Sequence, residues 1–211
     1  MPHNKTVLVL APHTDDGEFG LGGTISKYVK EGSRVIYVAF SAAEQSVLPQ
    51  LPRDILRTEV RDATSVLGVK SEDLLVLDFE VRKFPEFRQK ILDVMIQLNE
   101  KYNPQIVFLP SHNDIHQDHQ TVSQEGFRAF KRTTMLGYEL PWNNLDFRTS
   151  CFIGIKEEHL NAKIKALKLY ESQKHRPYAN ENFIRSLAVT RGVQIGKKYA
   201  EAFEVLRWVI N

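Results

Sequence analysis

The stretch VLVLAPHTDDGEFGLGGTISKYVKEGSRVIYVAF, residues Val7 to Phe40, decides the fold. It opens with a short apolar run, Val7 to Ala11, closed by Pro12, the mark of a strand buried on both faces. A glycine-rich passage, Gly20 to Gly23, comes next. Thr24 to Lys30 then carries helical spacing and stops at Gly32, and Arg34 to Phe40 reads as a second strand. A strand, a loop, a helix and a strand in that order open a parallel sheet.

Outward from this unit the alternation continues. Helical spacing runs from Asp54 to Leu67 before Gly68, a strand is expected over Leu74 to Leu77, a helix over Glu86 to Tyr102, and a strand over Gln105 to Leu109 before Pro110. Strands joined by helical crossovers predict an α/β, Rossmann-like doubly wound, mostly parallel sheet with helices on both faces. The last third is less regular, with strands expected at Met135 to Glu139 and Cys151 to Ile155, a helix from Lys156 to Tyr170, and a mixed tail. Lys163, Lys165 and Lys168 on that helix read as a solvated face. No linker or repeat divides the sequence, so one domain is expected over residues 1–211.

Composition excludes several classes. Charged residues make up 26% and hydrophobic ones 42%, an ordinary globular balance. The net charge is only +2, with cations scattered in small groups, so a nucleic-acid partner is not expected. The one cysteine, Cys151, sits in an apolar run and reads as a small core residue rather than a catalytic thiol. No run approaches the ~20 apolar residues of a membrane span. The N-terminus shows no signal-peptide core, so a cytoplasmic enzyme is expected.

Ligands of doubly wound sheets sit beyond the carboxyl ends of the strands where the winding reverses, and there the first and fourth strands are neighbours. Both of these end in metal-type ligands. Pro12-His13-Thr14-Asp15-Asp16-Gly17-Glu18 follows the first, and Ser111-His112-Asn113-Asp114-Ile115-His116-Gln117-Asp118-His119 follows the fourth. Of the 7 histidines in the sequence, His13, His112, His116 and His119 lie in these two loops. Three protein ligands and an open position for water suit a catalytic zinc or a related divalent metal, and His13, Asp16 and His119 supply that count. Asp15 is then free to act as general base, and His116, three residues before His119, to act as an acid or oxyanion stabiliser in imidazolium form. Asp118 is placed to orient an imidazole. Asp114 reads as either a cap or a similar support, and His112 as an exposed or capping residue. Asp15 or Asp16, taken singly, would also suit a helix cap.

Pro12-His13-Thr14-Asp15-Asp16 with Glu18, Gly22-Gly23-Thr24, and His116-Gln117-Asp118-His119 together resemble the PIG-L/LmbE-like N-acetylglucosaminyl deacetylases. Arg57-Thr58-Glu59 with Ala63, Leu67 and Gly68 is similar to that family's second helix, and Ser172-Gln173 and Gly196 to Phe203 to its late motifs. Thr14 and Gln117 replace prolines common in the family; neither is a proposed ligand, although a less rigid loop is expected. The resemblance implies a Rossmann-like fold, a zinc ion (iron in some members), and removal of the N-acetyl group from an N-acetylglucosamine-type sugar. It also implies that His13, Asp16 and His119 hold the metal, that Asp15 is the base, and that His116 is the acid or oxyanion stabiliser with Asp118 behind it. A small N-acetylated sugar conjugate is the expected partner, and a trimer or hexamer the expected assembly.

The remainder of the substrate is set by loops, here Ala42 to Arg53 and Met135 to Phe147. Trp142 suits either sugar stacking or a packing or subunit-contact role. Arg53 and Arg57 suit an anionic aglycone, with a helix ion pair the alternative for Arg57. Two other functions fit the same residues less well: a metal-dependent hydrolase of another small amide or ester, and a non-catalytic glycan- or nucleotide-binding module. Gly20-Leu21-Gly22-Gly23 lacks the spacing of a dinucleotide fingerprint.

Overall fold

A computed structural model describes residues 4–210. In chain order the principal elements are β1 (Thr6–His13), α1 (Asp16–Lys30), β2 (Arg34–Ser41), α2 (Ile55–Leu67), β3 (Leu74–Val76), α3 (Arg88–Tyr102), β4 (Ile106–Pro110), α4 (Gln117–Ala129), β5 (Thr134–Tyr138), β6 (Cys151–Ile155), α5 (Glu157–Leu167), α6 (Glu181–Val193) and β7 (Tyr199–Arg207). The seven strands form one sheet in the order β3-β2-β1-β4-β5-β7-β6. The first five in that order are parallel, and β7 runs antiparallel between β5 and β6. The expected α/β, doubly wound, mostly parallel sheet is thus the observed one.

Alternation along the central strands builds two cores. Val7, Val9 and Ala11 of β1 face one way and pack with Val35, Tyr37 and Ala39 of β2 under Ile25, Val60, Leu160 and Ile184 from α1, α2, α5 and α6. Leu8 and Leu10 face the other way, with Ile36, Val38 and Val107, under Ile91 and Met95 of α3 and Val122 of α4. Burial on both faces explains why these strands read as continuous apolar runs.

Four expectations need correction. The glycine-rich passage is not a loop: α1 starts at Asp16 and runs through it, kinked at Leu21, where φ is −150° and ψ 25°. Its glycines let the helix lie close to the sheet, since a Cβ on Gly17 would come within 2.6 Å of the Tyr37 ring and one on Gly20 would run into Tyr138. The irregular tail contains α6 and β7. Lys163 does not belong to a solvated face; it is buried and its Nζ lies 2.7 Å from Oε1 of Glu201 in β7. The expected helix from Lys156 to Tyr170 is shorter, ending at Leu167. Among the described residues no helix is long and apolar enough to cross a membrane.

Candidate metal centre

The winding reverses between β1 and β4, which pair in parallel with Val7 opposite Ile106 and Val9 opposite Phe108. Their carboxyl ends therefore lie side by side, and the two loops rich in His and Asp converge. The β1 loop folds back on itself, because Oδ2 of Asp16 accepts a hydrogen bond from the backbone N–H of His13 at 2.8 Å. That oxygen also lies 3.2 Å from Nδ1 of His13 and 3.2 Å from Nε2 of His119, and these two nitrogens are 3.3 Å apart. A near-equilateral triangle of this size fits a tetrahedral ion: three ligands at ~2.0–2.1 Å from a common centre stand about 3.3–3.4 Å from one another. His116 brings a ring nitrogen within 4.8 Å of His13 and His119, a looser set than the one containing Asp16.

Each imidazole in the triangle is backed by a carboxylate on its far nitrogen. Nε2 of His13 lies 2.9 Å from Oδ2 of Asp118, and Nδ1 of His119 lies 2.7 Å from Oδ2 of Asp114. Such pairs fix the ring's orientation and tautomer and raise its basicity toward a metal. Asp114 supports the His119 imidazole with Oδ2, and its Oδ1 accepts from the backbone N–H of His116, the N-cap of α4, at 2.8 Å. Asp118 orients His13 and not His116: its other contacts are the backbone N–H groups of Arg82 and Phe84, at 2.6 and 3.3 Å. Nδ1 of His116 instead accepts from the backbone N–H of Asp118 at 3.2 Å, as the N-cap of α4. A ring that accepts at Nδ1 carries its proton on Nε2 when neutral.

Electrostatics follow from this crowding. Burial works against charge on His13, but Asp118 and Asp16 raise it to about 9; His119 is likewise raised to about 10 by Asp16 and Asp114 against the cost of burial. Asp16 is held far below the usual carboxylate range by His119 and His13 despite its burial. Asp15 is pushed up to about 6 by burial and by the neighbouring Asp16. His116 is pushed down to about 4 by burial and by His119 and His13, so these surroundings favour a neutral ring over the expected imidazolium. Asp15 occupies the N-cap position of α1 but makes no side-chain cap bond, which leaves its carboxylate uncommitted at the cleft wall.

Beneath the β1 loop lies Glu18, fully buried between two tyrosines. The Tyr170 hydroxyl is 2.8 Å from Oε1 of Glu18 and 2.8 Å from the Thr14 carbonyl; the Tyr37 hydroxyl contacts Oε2 of Glu18 and lies 2.9 Å from the same carbonyl. Burial pushes Glu18 up to about 8.

The triangle opens into a cleft of about 300 Å³. One wall is Trp142 stacked on Tyr178, with ring centroids 3.8 Å apart and planes 5° from parallel, and Phe19 edge-on to both. Trp142 therefore faces the cleft and packs at once. Ser46 and Val47 line it from the first expected specificity loop and Ser172 and Gln173 from the late motif, while His175 and Arg176 come from a segment not expected to contribute. That segment, His175-Arg176-Pro177-Tyr178, has no periodicity, which is its one sequence signal as a loop. His112 is exposed, with Nδ1 2.6 Å from the Ser123 hydroxyl. Arg57 is an ion-pair residue, bound to Glu44 at 2.7 Å and to Asp78; Arg53 is exposed.

Comparison with known proteins gives the family. The model of the family PIG-L, described as GlcNAc-PI de-N-acetylase, matches residues 8–130, a stretch that holds both converging loops. Diacetylchitobiose deacetylase from Thermococcus kodakarensis is 28% identical over 225 residues, covering 93% of this chain and 81% of that protein. Among solved structures, N,N'-diacetylchitobiose deacetylase from Pyrococcus horikoshii superposes with a TM-score of 0.80 at 24% identity, covering 96% of this chain and 84% of that one. The 4-carboxy-2-hydroxymuconate hydratase GalB from Pseudomonas putida shares the fold at a TM-score of 0.76 and 19% identity, covering 98% of each chain. With the family model spanning more than half of its residues, the chain belongs to the PIG-L family of GlcNAc-PI de-N-acetylase-like proteins.

Proposed function

We propose that the protein is a divalent-metal-dependent hydrolase that removes the acetyl group from an N-acetylglucosamine-type sugar. The observation that carries this reading is the triangle of His13 Nδ1, Asp16 Oδ2 and His119 Nε2, with 3.2–3.3 Å edges, beside an uncommitted Asp15. An ion held by those three atoms, zinc being the one this mixed set suits, would supply the Lewis acidity that brings the pKa of a water to ~7.

Asp15 is the group that takes the proton from the attacking water, since Asp16, Asp114 and Asp118 are all engaged with imidazoles. The hydroxyl oxygen bonds to the acetyl carbon, the C–N bond breaks, and the proton held by Asp15 goes to the leaving nitrogen, giving acetate and a free amine. His116, with its proton on Nε2, donates a hydrogen bond to the acetyl oxygen as charge builds there. Trp142 and Tyr178 offer a rigid aromatic wall to a pyranose face.

The test is acetate release from a panel of N-acetylglucosamine glycosides by the zinc-loaded protein, repeated with a chelator and after metal is restored. Release that stops with the chelator and returns with the metal supports the proposal. No release from any glycoside, with the metal bound, sinks it and turns attention to water addition, the reaction named for the hydratase of this fold.

A further inference from the structure

The segment from Tyr170 to Tyr178, between α5 and α6, supplies Ser172, Gln173, His175, Arg176 and Tyr178 to the lining of the cleft. A single 3-10 turn, Glu171–Gln173, is its regular structure, so contacts from other elements must set its course. At its two ends the Tyr170 hydroxyl meets the Thr14 carbonyl and Glu18, and the Tyr178 ring is stacked on Trp142. Between these ends Ser172 is held by Glu59 of α2: its backbone N–H donates to Oε1 at 3.0 Å and its hydroxyl to Oε2 at 2.5 Å.

A carboxylate is out of keeping with its surroundings there. The buried face of α2 otherwise consists of Leu56, Val60, Ala63, Thr64 and Leu67, and Glu59 is the charged side chain among them, 5% exposed against 3% for Ser172. Both of its oxygens are taken by Ser172, and among the described residues it has no salt-bridge partner. Taking a carboxylate out of water is costly, and an apolar side chain would fill the same space without that cost. What the carboxylate adds is a two-point grip on one residue. Charge-assisted hydrogen bonds to main chain and side chain together leave Ser172 one position and one orientation. One turn earlier on the same face of α2, Leu56 also lines the cleft, so the grip joins two parts of its wall.

The geometry points to Glu59 as a positioning residue for the substrate: by holding Ser172 through both amide and hydroxyl, it fixes where the segment from Ser172 to Tyr178 stands in the cleft wall. The proposal rests on the deacetylase reading for the identity of that substrate. Glu59 is not itself a lining residue, and its two bonds reach neither the triangle of His13, Asp16 and His119 nor Asp15. It therefore acts on the fit of the substrate, not on the metal or the proton transfer. With the grip gone, Tyr170 and Tyr178 still anchor the two ends, so the stretch between them shifts while the fold persists.

The test measures acetate release from the methyl glycoside of N-acetylglucosamine by the zinc-loaded full chain and its variants. Glu59→Met keeps an apolar stem packed in the face of α2 and removes both acceptors. It is expected to raise KM on the order of tenfold, the scale of one charge-assisted hydrogen bond, with kcat and zinc content native. Glu59→Gln should restore most of the native KM, since its carbonyl accepts from the Ser172 amide and its NH₂ donates to the hydroxyl oxygen. Ser172→Ala, which loses only the hydroxyl, should raise KM less, and should add little to Glu59→Met. If Glu59→Met does not fold, Ser172→Ala carries the test. Lys174, exposed within the held segment, gives a second readout: tryptic cleavage after it under native conditions should quicken in Glu59→Met and not in Glu59→Gln. A native KM with unaltered cleavage at Lys174, a fall in kcat instead of a rise in KM, or additive effects of the two substitutions overturns the proposal and leaves deacetylation intact. Should the native chain bind the glycoside in calorimetry but release no acetate, the deacetylase reading fails alone, and a Glu59→Met loss of that affinity upholds the positioning role. Neither binding nor release removes both.

Discussion

Oδ2 of Asp118 lies 2.9 Å from Nε2 of His13, on the edge of the ring opposite the nitrogen that meets Asp16. The same carboxylate ties down the backbone N–H of Arg82, so it holds the His13 ring, the proposed metal ligand, and the Arg82 backbone together. Carboxylates behind ligating histidines typically contribute ~10–100-fold in metal affinity. Asp118→Ala is expected to weaken zinc binding by about that factor in chelator competition, with Asp118→Asn between it and the native protein. Asp114→Ala should act alike through His119, whose Nδ1 it meets at 2.7 Å. Native affinity in both alanine variants would mean that neither histidine is a ligand.

The parallel half of the sheet was legible because β1, β2 and β4 are buried on both faces and so consist of unbroken apolar runs. The convergence of His13 with His119 followed from strand order alone. What stayed hidden depends on side chains that break the usual patterns by finding partners far off in sequence. β7 was obscured by Glu201 and Glu204, acids at buried strand positions. They are satisfied by Lys163 with the Gly23 and Thr24 amides, and by the Ser111 hydroxyl. The choice between His13 and His116 as the partner of Asp118 was also illegible, since it turns on a backbone N–H taking the Nδ1 of His116 first.

The roles proposed for Asp15 and His119 can be told apart, one in catalysis and the other in metal retention. Because Asp15 sits at the N-cap of α1 without capping it, and burial and Asp16 push its carboxyl up to about 6, Asp15→Asn should not lower the stability of the metal-free chain at neutral pH. Turnover should fall by ~10²–10⁴, the range of a lost general base, with zinc content unchanged by elemental analysis. His119→Ala should lose the metal itself. Native turnover in Asp15→Asn would show that another group takes the proton.

Lys163 and Glu201 form a buried pair 2.7 Å apart, and Glu201 also accepts from the backbone N–H groups of Gly23 at 3.1 Å and Thr24 at 2.6 Å. The pair thus clamps the kinked middle of α1 to β7 and α5. Removing one partner strands a buried charge, so Glu201→Ala should cost about 3–5 kcal/mol in urea unfolding. Lys163→Met, which keeps the stem packed beneath Gly22 but removes the ammonium, should cost less, because Glu201 still has two amide donors. A Glu201→Ala loss below about 1 kcal/mol would show that solvent reaches the site and the pair is a surface one.

Glu18 makes the stability of the chain depend on pH in an unusual direction. Burial raises its carboxyl from 4.5 to about 8, so across that window the folded chain holds a proton that the unfolded chain has released. The stability it contributes is present in full below about 4.5 and is lost as pH rises through about 8. Glutamine reproduces the protonated carboxyl, one donor and one acceptor toward the hydroxyls of Tyr37 and Tyr170, and does not titrate. With chelator present to keep metal out of the adjacent loop, Glu18→Gln should therefore gain on the native chain steadily from pH 4.5 to 8 when urea midpoints are compared. Parallel stability curves over that window would mean that Glu18 is ionised in the fold and that the two tyrosines donate to a carboxylate instead.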